Sequence, residues 1–331
     1  AARMPAMSAL AALLAFAICL GLSRLLASRF ASFALDRPNE RSLHERPVPR
    51  TGGIAVLAGS AVAFAFGAAP LWLPALLALA LAALSFIDDL AHMPTAVRLA
   101  AHLAAAGVVT WYLLSPVHPF VLVVLALAVA WTTNLYNFMD GSDGLAGGMT
   151  LIGFGAYAVA ARLAGDPALA AFSLALCAAS GAFLLYNFHP ARIFLGDVGS
   201  VPLGFLAGAL GLAGWVDDAW PLWFPALVFA PFMCDATLTL LKRLVRRERV
   251  WQAHRDHYYQ RLVRMGFGHR GTAWIEYAAM LGCALAGLAA RAAPPPVQAL
   301  IIAAAALALG SVAVWVDIRW ARYERRAAGV R

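Results

Sequence analysis

Charge is what this 331-residue chain has least of: Asp, Glu, Lys and Arg make up only 13% of it, roughly half the share of a soluble domain. With hydrophobic residues at 63% and a mean hydropathy of +0.76, that scarcity excludes a water-soluble fold. Metal-binding cysteine patterns are missing as well. Cys19, Cys177, Cys234 and Cys283 stand singly within apolar stretches, so they read as small buried hydrophobes. No internal repeat is visible, and no cleavage site follows the first apolar stretch, which reads as a retained span.

What is present is a series of apolar stretches at about the 20-residue length a helix needs to cross a bilayer. Eleven are expected, at 5–27, 52–68, 70–87, 98–114, 118–138, 144–162, 168–188, 201–216, 220–240, 273–291 and 296–316. The number allows ten to twelve, since several are short. The chain therefore reads as an all-α, polytopic integral membrane protein forming one domain. Under that alternation, all but Arg3, Arg162 and Arg291 of the 25 basic residues fall on one side. The positive-inside rule makes that side cytoplasmic, with the amino terminus outside and the carboxyl terminus inside. Loops 29–51, 88–97, 139–144, 189–200 and 241–272 are then cytoplasmic. The net charge of +8 is explained by anionic lipids and an anionic substrate, without nucleic acid.

The polar residues gather in islands on this same side. N-L-Y-N-F-M-D-G-S-D-G-L-A-G-G, Asn134 to Gly148, ends one apolar run. If the helix continues, Asn134 and Asn137 share a face that Asp140 extends, and Asp143 follows one loop step later. Oxygen ligands in a glycine-rich turn suit a hard cation and the phosphates it carries. Asp88 and Asp89, adjacent at the membrane boundary in S-F-I-D-D-L, point about a third of a turn apart. One is free to face a metal and the other a reactant, which makes them candidates for acid or base chemistry. Arg98 and His102 open the next span on one face; a positive-inside arginine and a satisfied core histidine are the plainer alternatives.

Asp197 stands in F-L-G-D-V-G-S, a turn that can hold Mg²⁺ while backbone N–H groups meet phosphate oxygens. N-capping by Ser200 would explain the serine but not the aspartate. Asn187, His189 and Arg192 are weaker neighbours. Before the second span, prolines and the Thr51-Gly52-Gly53 turn forbid a long helix, and His44, Arg46 and Arg50 form a candidate phosphate cluster with Arg50 preferred. In loop 241–272 the leading basic run reads as an interfacial helix. The following H-R-D-H-Y-Y-Q-R places His254, Arg255 and His257 together as a cationic group for a pyrophosphate. A zinc site there lacks any cysteine, and the other islands call for a hard cation. Arg319 to Arg331 read as a plain basic tail.

In their order, R-P-V-P-R-T-G-G, F-I-D-D-L, N-L-Y-N-F-M-D-G-S-D-G-L, F-L-G-D-V-G-S and H-R-D-H-Y-Y-Q-R resemble the polyprenyl-phosphate N-acetylhexosamine-1-phosphate transferases, bacterial glycosyltransferase family 4. The resemblance spans about residues 37 to 270. It implies transfer of a sugar 1-phosphate from a UDP-N-acetylhexosamine to undecaprenyl phosphate, with Mg²⁺ (Mn²⁺ as a substitute) and release of UMP, in the bacterial inner membrane. By position it implies that Asn137 and Asp197 are metal ligands and that Asp88 and Asp89 are the paired acids near the lipid phosphate. It also places Asp143 at the uracil end, and His254, Arg255 and His257 in the pyrophosphate and sugar loop. Asn134, Asp140, Arg50 and Arg98 complete the candidate substrate contacts, and a homodimer is the candidate assembly. The muramoyl-pentapeptide branch carries a P-x-H-H-H-like loop that this chain lacks, so the resemblance is closer to enzymes that start O-antigen and related polysaccharides. An ion-coupled transporter is the rival from another class. Its sites lie at the midplane between repeated halves, whereas these islands cluster at one face.

Overall fold

The computed structural model describes residues 3 to 329 apart from 33, 39–42, 44, 45, 92, 251 and 253; the expected phosphate residue His44 lies outside the described residues. The fold is all-α. In lipid the backbone must satisfy its own hydrogen bonds, and helices do so within one segment. Nine helices among the described residues are long and apolar enough to cross a membrane, and the protein is a polytopic membrane protein. They are α1 (Arg3–Ser28), α3 (Trp72–Ala91), α4 (Thr95–Leu114), α5 (Pro119–Phe138), α6 (Leu145–Ala164), α7 (Pro167–Asn187), α8 (Asp197–Val216), α12 (Gly268–Arg291) and α13 (Pro295–Gly329). Each of the nine matches one expected stretch.

The other two expected stretches are not continuous. Residues 52–68 form a short α2 (Gly52–Ser60) and a 3-10 turn (Ala61–Phe66) closed by Gly67. Residues 220–240 are split at Phe229 into α9 (Trp223–Val228) and α10 (Ala230–Val245), where Pro231, in the first turn of α10, has no N–H to continue the ladder. Apolar content reads these two stretches as spans because it does not register such breaks. α11 (Tyr258–Leu262) leads through a kinked turn into α12. A two-stranded antiparallel hairpin, β1 (Leu35–Asp36) and β2 (Val48–Pro49), pairs Leu35 with Pro49 and Asp36 with Val48.

α8 is the central helix, buried along nearly its whole length and packed against α3 and α5; α6 packs on α7, which also carries α1. α13 is peripheral and largely lipid-facing. α2 meets the start of α8 so closely that a Cβ at Gly53 would collide with the backbone of Gly199. The same junction satisfies the open start of α2: Gly52 and Gly53 donate to the carbonyls of Phe194 and Leu195 at 2.8 and 2.9 Å, and Phe194 N–H donates to Pro49 at 2.8 Å. The R-P-V-P-R-T-G-G and F-L-G-D-V-G-S islands, far apart in sequence, are thereby zipped together.

Two further expectations are corrected. The basic run after residue 241 is not a separate interfacial helix; it is the last turn of α10 followed by a turn in which Arg247 has φ +59°. Nor is Arg319 to Arg331 a plain tail, because up to Gly329 it continues α13. Just before it, Asp317 pairs with Lys242 and with Arg261.

Candidate active site

Successive helices run in opposite directions, so the carboxyl ends of α3 and α5 and the amino ends of α4, α6 and α8 converge at one end of the bundle. Asp88 and Asp89 end α3. Asp88 accepts Met93 N–H at 2.6 Å and Arg98 Nη1 at 2.9 Å. The same Arg98 nitrogen lies 3.7 Å from Asp197, and Arg50 holds Asp89 at 3.2 Å. Asp197 occupies the first turn of α8, where a carboxylate favours the positive end of the helix dipole. The helix thus begins at Asp197 and not at 201, and Ser200 is inside it. Ser200 is no N-cap; its hydroxyl donates to Asn137 Oδ1 at 2.7 Å.

Asn134 and Asn137 both lie in the end of α5, as their spacing predicts. Asn134 Oδ1 meets the buried His102 at 3.1 Å, so that histidine is satisfied within the bundle. Asp140 stands just past the helix end and accepts a hydrogen bond from the Gly196 backbone. Burial, and then the charge of Asp197, push its carboxyl well above the usual range. Asp88, Asp89, Asp140 and Asp197 outnumber the two guanidiniums among them, Arg50 and Arg98. Such an excess needs protons or a cation.

Two cavities meet here. A polar one of 240 Å³ is lined by Arg50, Asp140, Ser142, Asp143, Phe194 and Asp197 among others. A larger one of 530 Å³ is mostly apolar, with Leu84, Leu99, Trp131 and Val201, and carries Arg98, His102, Asn134, Asn137, His254 and His257 near its polar end. Asp197 and Gln260 line both.

Asp143 is buried and ties three loops together. Its Oδ2 accepts His189 Nδ1 at 2.7 Å and Ala191 N–H at 3.1 Å, and His269 stands 3.9 Å from Oδ1. Asn187 accepts Gly144 N–H at 3.0 Å and donates to the Ile193 carbonyl, so it supports the same turn. Arg192 turns away onto Tyr186.

The histidine loop differs from its expected character. His257 Nδ1 donates to Asp235 at 3.0 Å, since a carboxylate only accepts, which leaves Nε2 for a ligand. The His254 ring lies 4.8 Å from that of His257. Burial, then His257 and Arg243, hold His254 down at about 4, so it is neutral near pH 7. Arg255 lines neither cavity. The guanidiniums that line the two cavities are those of Arg50 and Arg98. Asp88 and Asp89 also line neither cavity and reach Asp197 through those arginines.

Sequence reasoning missed Asp235, Gln260 and His269. A lone acid inside the apolar run M-C-D-A-T was the signal for Asp235. Its carboxylate accepts from His257, from Tyr258 and Tyr259 N–H at 2.9 Å each, and from Thr239. His269 accepts Asp143 N–H at 3.3 Å and bonds Ser142 at 2.9 Å.

Asn137 donates to the Asp197 carboxylate, so Asp140, Asp197 and the Asn137 amide oxygen form an oxygen-rich set, and the carboxyl of Asp140 is short of positive partners. That suits a hard divalent cation. No group of three or more His, Cys, Asp or Glu poised for a metal occurs among the described residues. Such an ion would keep waters and take its remaining ligands from substrate phosphates, as Mg²⁺ commonly does.

Carboxylates and arginines thus gather at one end of the bundle of a membrane protein, between a polar and an apolar cavity. The family model described as glycosyl transferase family 4 matches residues 71–215, which hold the three central islands. A probable undecaprenyl-phosphate N-acetylglucosaminyl 1-phosphate transferase of Bacillus subtilis is 29% identical over 263 residues, 74% of each chain. A decaprenyl-phosphate N-acetylglucosaminephosphotransferase of Mycolicibacterium smegmatis is 32% identical over 309 residues, 78% of this chain and 75% of the relative. A phospho-N-acetylmuramoyl-pentapeptide-transferase of Moorella thermoacetica is 47% identical, but over only 87 residues, 26% of this chain and 27% of the relative. The chain belongs to glycosyl transferase family 4.

Proposed function

We propose that the protein transfers an N-acetylhexosamine 1-phosphate from its UDP derivative to undecaprenyl phosphate at the cytoplasmic face of the bacterial inner membrane. The products are UMP and a polyprenyl-diphosphate sugar, the first lipid-linked step of O-antigen or a related envelope polysaccharide. The observation that carries this reading is the junction of a polar and an apolar cavity at Asp197, flanked by Arg50 and Arg98. N-acetylglucosamine is the first donor to test, because the relatives matched over most of their length are named for it.

In this reading the polyprenyl chain occupies the apolar cavity and its phosphate reaches Arg98. The UDP-sugar occupies the polar cavity, with its uracil end by Asp143, whose Oδ1 makes no hydrogen bond within the described residues. Arg50 meets the diphosphate from the polar side. Asn134 positions His102 at the lipid end, and Asp140 holds the Gly196 turn. His257, fixed by Asp235, and neutral His254 offer ring nitrogens to the diphosphate or sugar, with Arg255 beside them in the loop as the further candidate contact.

A lipid phosphate oxygen attacks the phosphorus that bears the sugar; the new P–O bond forms as the bond to the UMP oxygen breaks and that electron pair leaves with UMP. Asp89, held by Arg50, and Asp88, held by Arg98, keep the two guanidiniums aimed along this line, and one of them steers or deprotonates the nucleophile. Asn137 and Asp197 would hold Mg²⁺ or Mn²⁺, which neutralises diphosphate oxygens and the charge on departing UMP.

The test is UMP release by purified protein with undecaprenyl phosphate, Mg²⁺ and a panel of UDP-sugars, with and without a chelator. Chelator-sensitive UMP from one N-acetylhexosamine donor is expected. UMP from UDP-N-acetylmuramoyl-pentapeptide alone would move the protein to the peptidoglycan branch, and none from any donor by folded protein would refute the transferase reading. A phosphorylated Asp88 or Asp89 after incubation with UDP-sugar alone would replace direct attack by a covalent route.

A further inference from the structure

Between α10, α11, α12 and α13 lies a third cavity, of 350 Å³, that shares no lining residue with the two substrate cavities. Most of its wall is apolar, with Leu238, Leu262, Ile275 and Leu309, but two acids line it, Asp235 and Glu276. Asp235 is saturated by its four donors from α10 and the histidine loop. Glu276 is different. It is 9% exposed, it has no hydrogen-bond partner among the described residues, and the charge that acts on it is the like charge of Asp235.

An acid buried at membrane depth without a partner is costly, and a ligand that donates to it would offset that cost. Among the described residues no basic side chain forms an ion pair with it: Lys242 and Arg261, of α10 and α11, are paired with Asp317. A divalent ion is disfavoured too, since one free carboxylate in an apolar wall is a poor oxygen cage. The complement to one unpaired acid in an apolar chamber is an alkyl chain ending in a hydrogen-bond donor with positive charge. The volume is at the small end of the range for ligand pockets.

We propose that this cavity is a binding site for a membrane-soluble alkyl amine, whose ammonium group donates to the Glu276 carboxylate while its chain fills the space between α10 and α13. Asp235 walls the cavity on one side and fixes His257 on the other, so the bound amine lies one side chain away from the histidine loop.

Binding of dodecylamine and dodecanol to the full chain in non-ionic detergent, read by thermal-midpoint shift and by calorimetry, tests this independently of the transferase reading. Wild type should bind the amine at least ten-fold more tightly than the alcohol. Glu276→Gln, which removes a buried charge and so should fold at least as well, should abolish that preference. Ala279→Phe, which fills the chamber from its wall and leaves Glu276 in place, should weaken both ligands. Equal affinity for amine and alcohol in wild type, a preference that survives Glu276→Gln, or undiminished binding of both ligands by Ala279→Phe, would overturn the proposal.

Discussion

The two sides of the active cleft are built on opposite electrostatic plans. On the side made by α3, α4 and α8, carboxylates outnumber guanidiniums, and Arg50 and Arg98 are still about one-third exposed. On the side made by α10 and α11, charges are closed by partners: Asp235 by its four donors, Arg243 by Asp256 and Glu248, Arg261 and Lys242 by Asp317. The lesson is that an open charge marks where a ligand charge is awaited, whereas a closed one marks scaffold. Composition named cationic residues on both sides, Arg50 and Arg98 on one and His254, Arg255 and His257 on the other, and only their pairing tells the two apart.

Breaking the open side should cost most. Asp197→Ala should lower UMP turnover by about 10³-fold or more, as loss of a central electrostatic group does, with the thermal midpoint little changed. Arg98→Ala should cost about 10²-fold, and Arg98→Lys should recover only part of that, because Arg98 holds both carboxylates with Nη1 and keeps its other donors for a phosphate, which a compact ammonium does not reproduce. Breaking the closed side should act through position instead. Asp235→Asn should lower turnover about 10-fold and also lower stability by about 1–3 kcal/mol, since it weakens a buried acceptor serving four donors.

The comparison is sharpened by pH. A carboxyl held above its usual range binds its proton more tightly folded than unfolded, so the stability tied to Asp140 is present at low pH and is lost as pH rises from 3.8 through the folded value. Mg²⁺ should therefore raise the thermal midpoint more at pH 8 than at pH 5, and Asp140→Asn should flatten that difference. His254 has the opposite sign. Its folded value of about 4 lies below the ordinary 6.5, so stability is full above 6.5 and is lost as pH falls toward 4. His254→Gln should lose less stability than wild type over that window in a pH series of melts, the smallest effect of the set.

Much of this was legible in the sequence. Hydropathy placed the nine long helices, because lipid demands continuous apolar length, and the island residues Asp88, Asp89, Asn137, Asp140 and Asp197 were found because polar groups at such boundaries are costly. Two things escaped. The broken stretches at 52–68 and 220–240 have span-like composition, and only the backbone divides them, at Ser60 where α2 gives way to a 3-10 turn and at Phe229 ahead of Pro231. Side-chain pairing escaped too: the neutrality of His254 depends on burial beside His257 and Arg243, and the anchoring of His257 depends on Asp235, 22 residues away. Periodicity carries no information about such pairs.

The most direct test of the account is steady-state UMP release with one substrate varied at a time, in variants that narrow or reshape one cavity each. Leu99→Trp crowds the apolar cavity, and Phe194→Leu removes the one phenyl ring that lines the polar cavity. The account predicts that Leu99→Trp raises KM for undecaprenyl phosphate and leaves that for the UDP-sugar unchanged, and that Phe194→Leu does the reverse. Parallel shifts of both constants in either variant, or the opposite assignment, would contradict two substrates meeting at Asp197 from separate cavities.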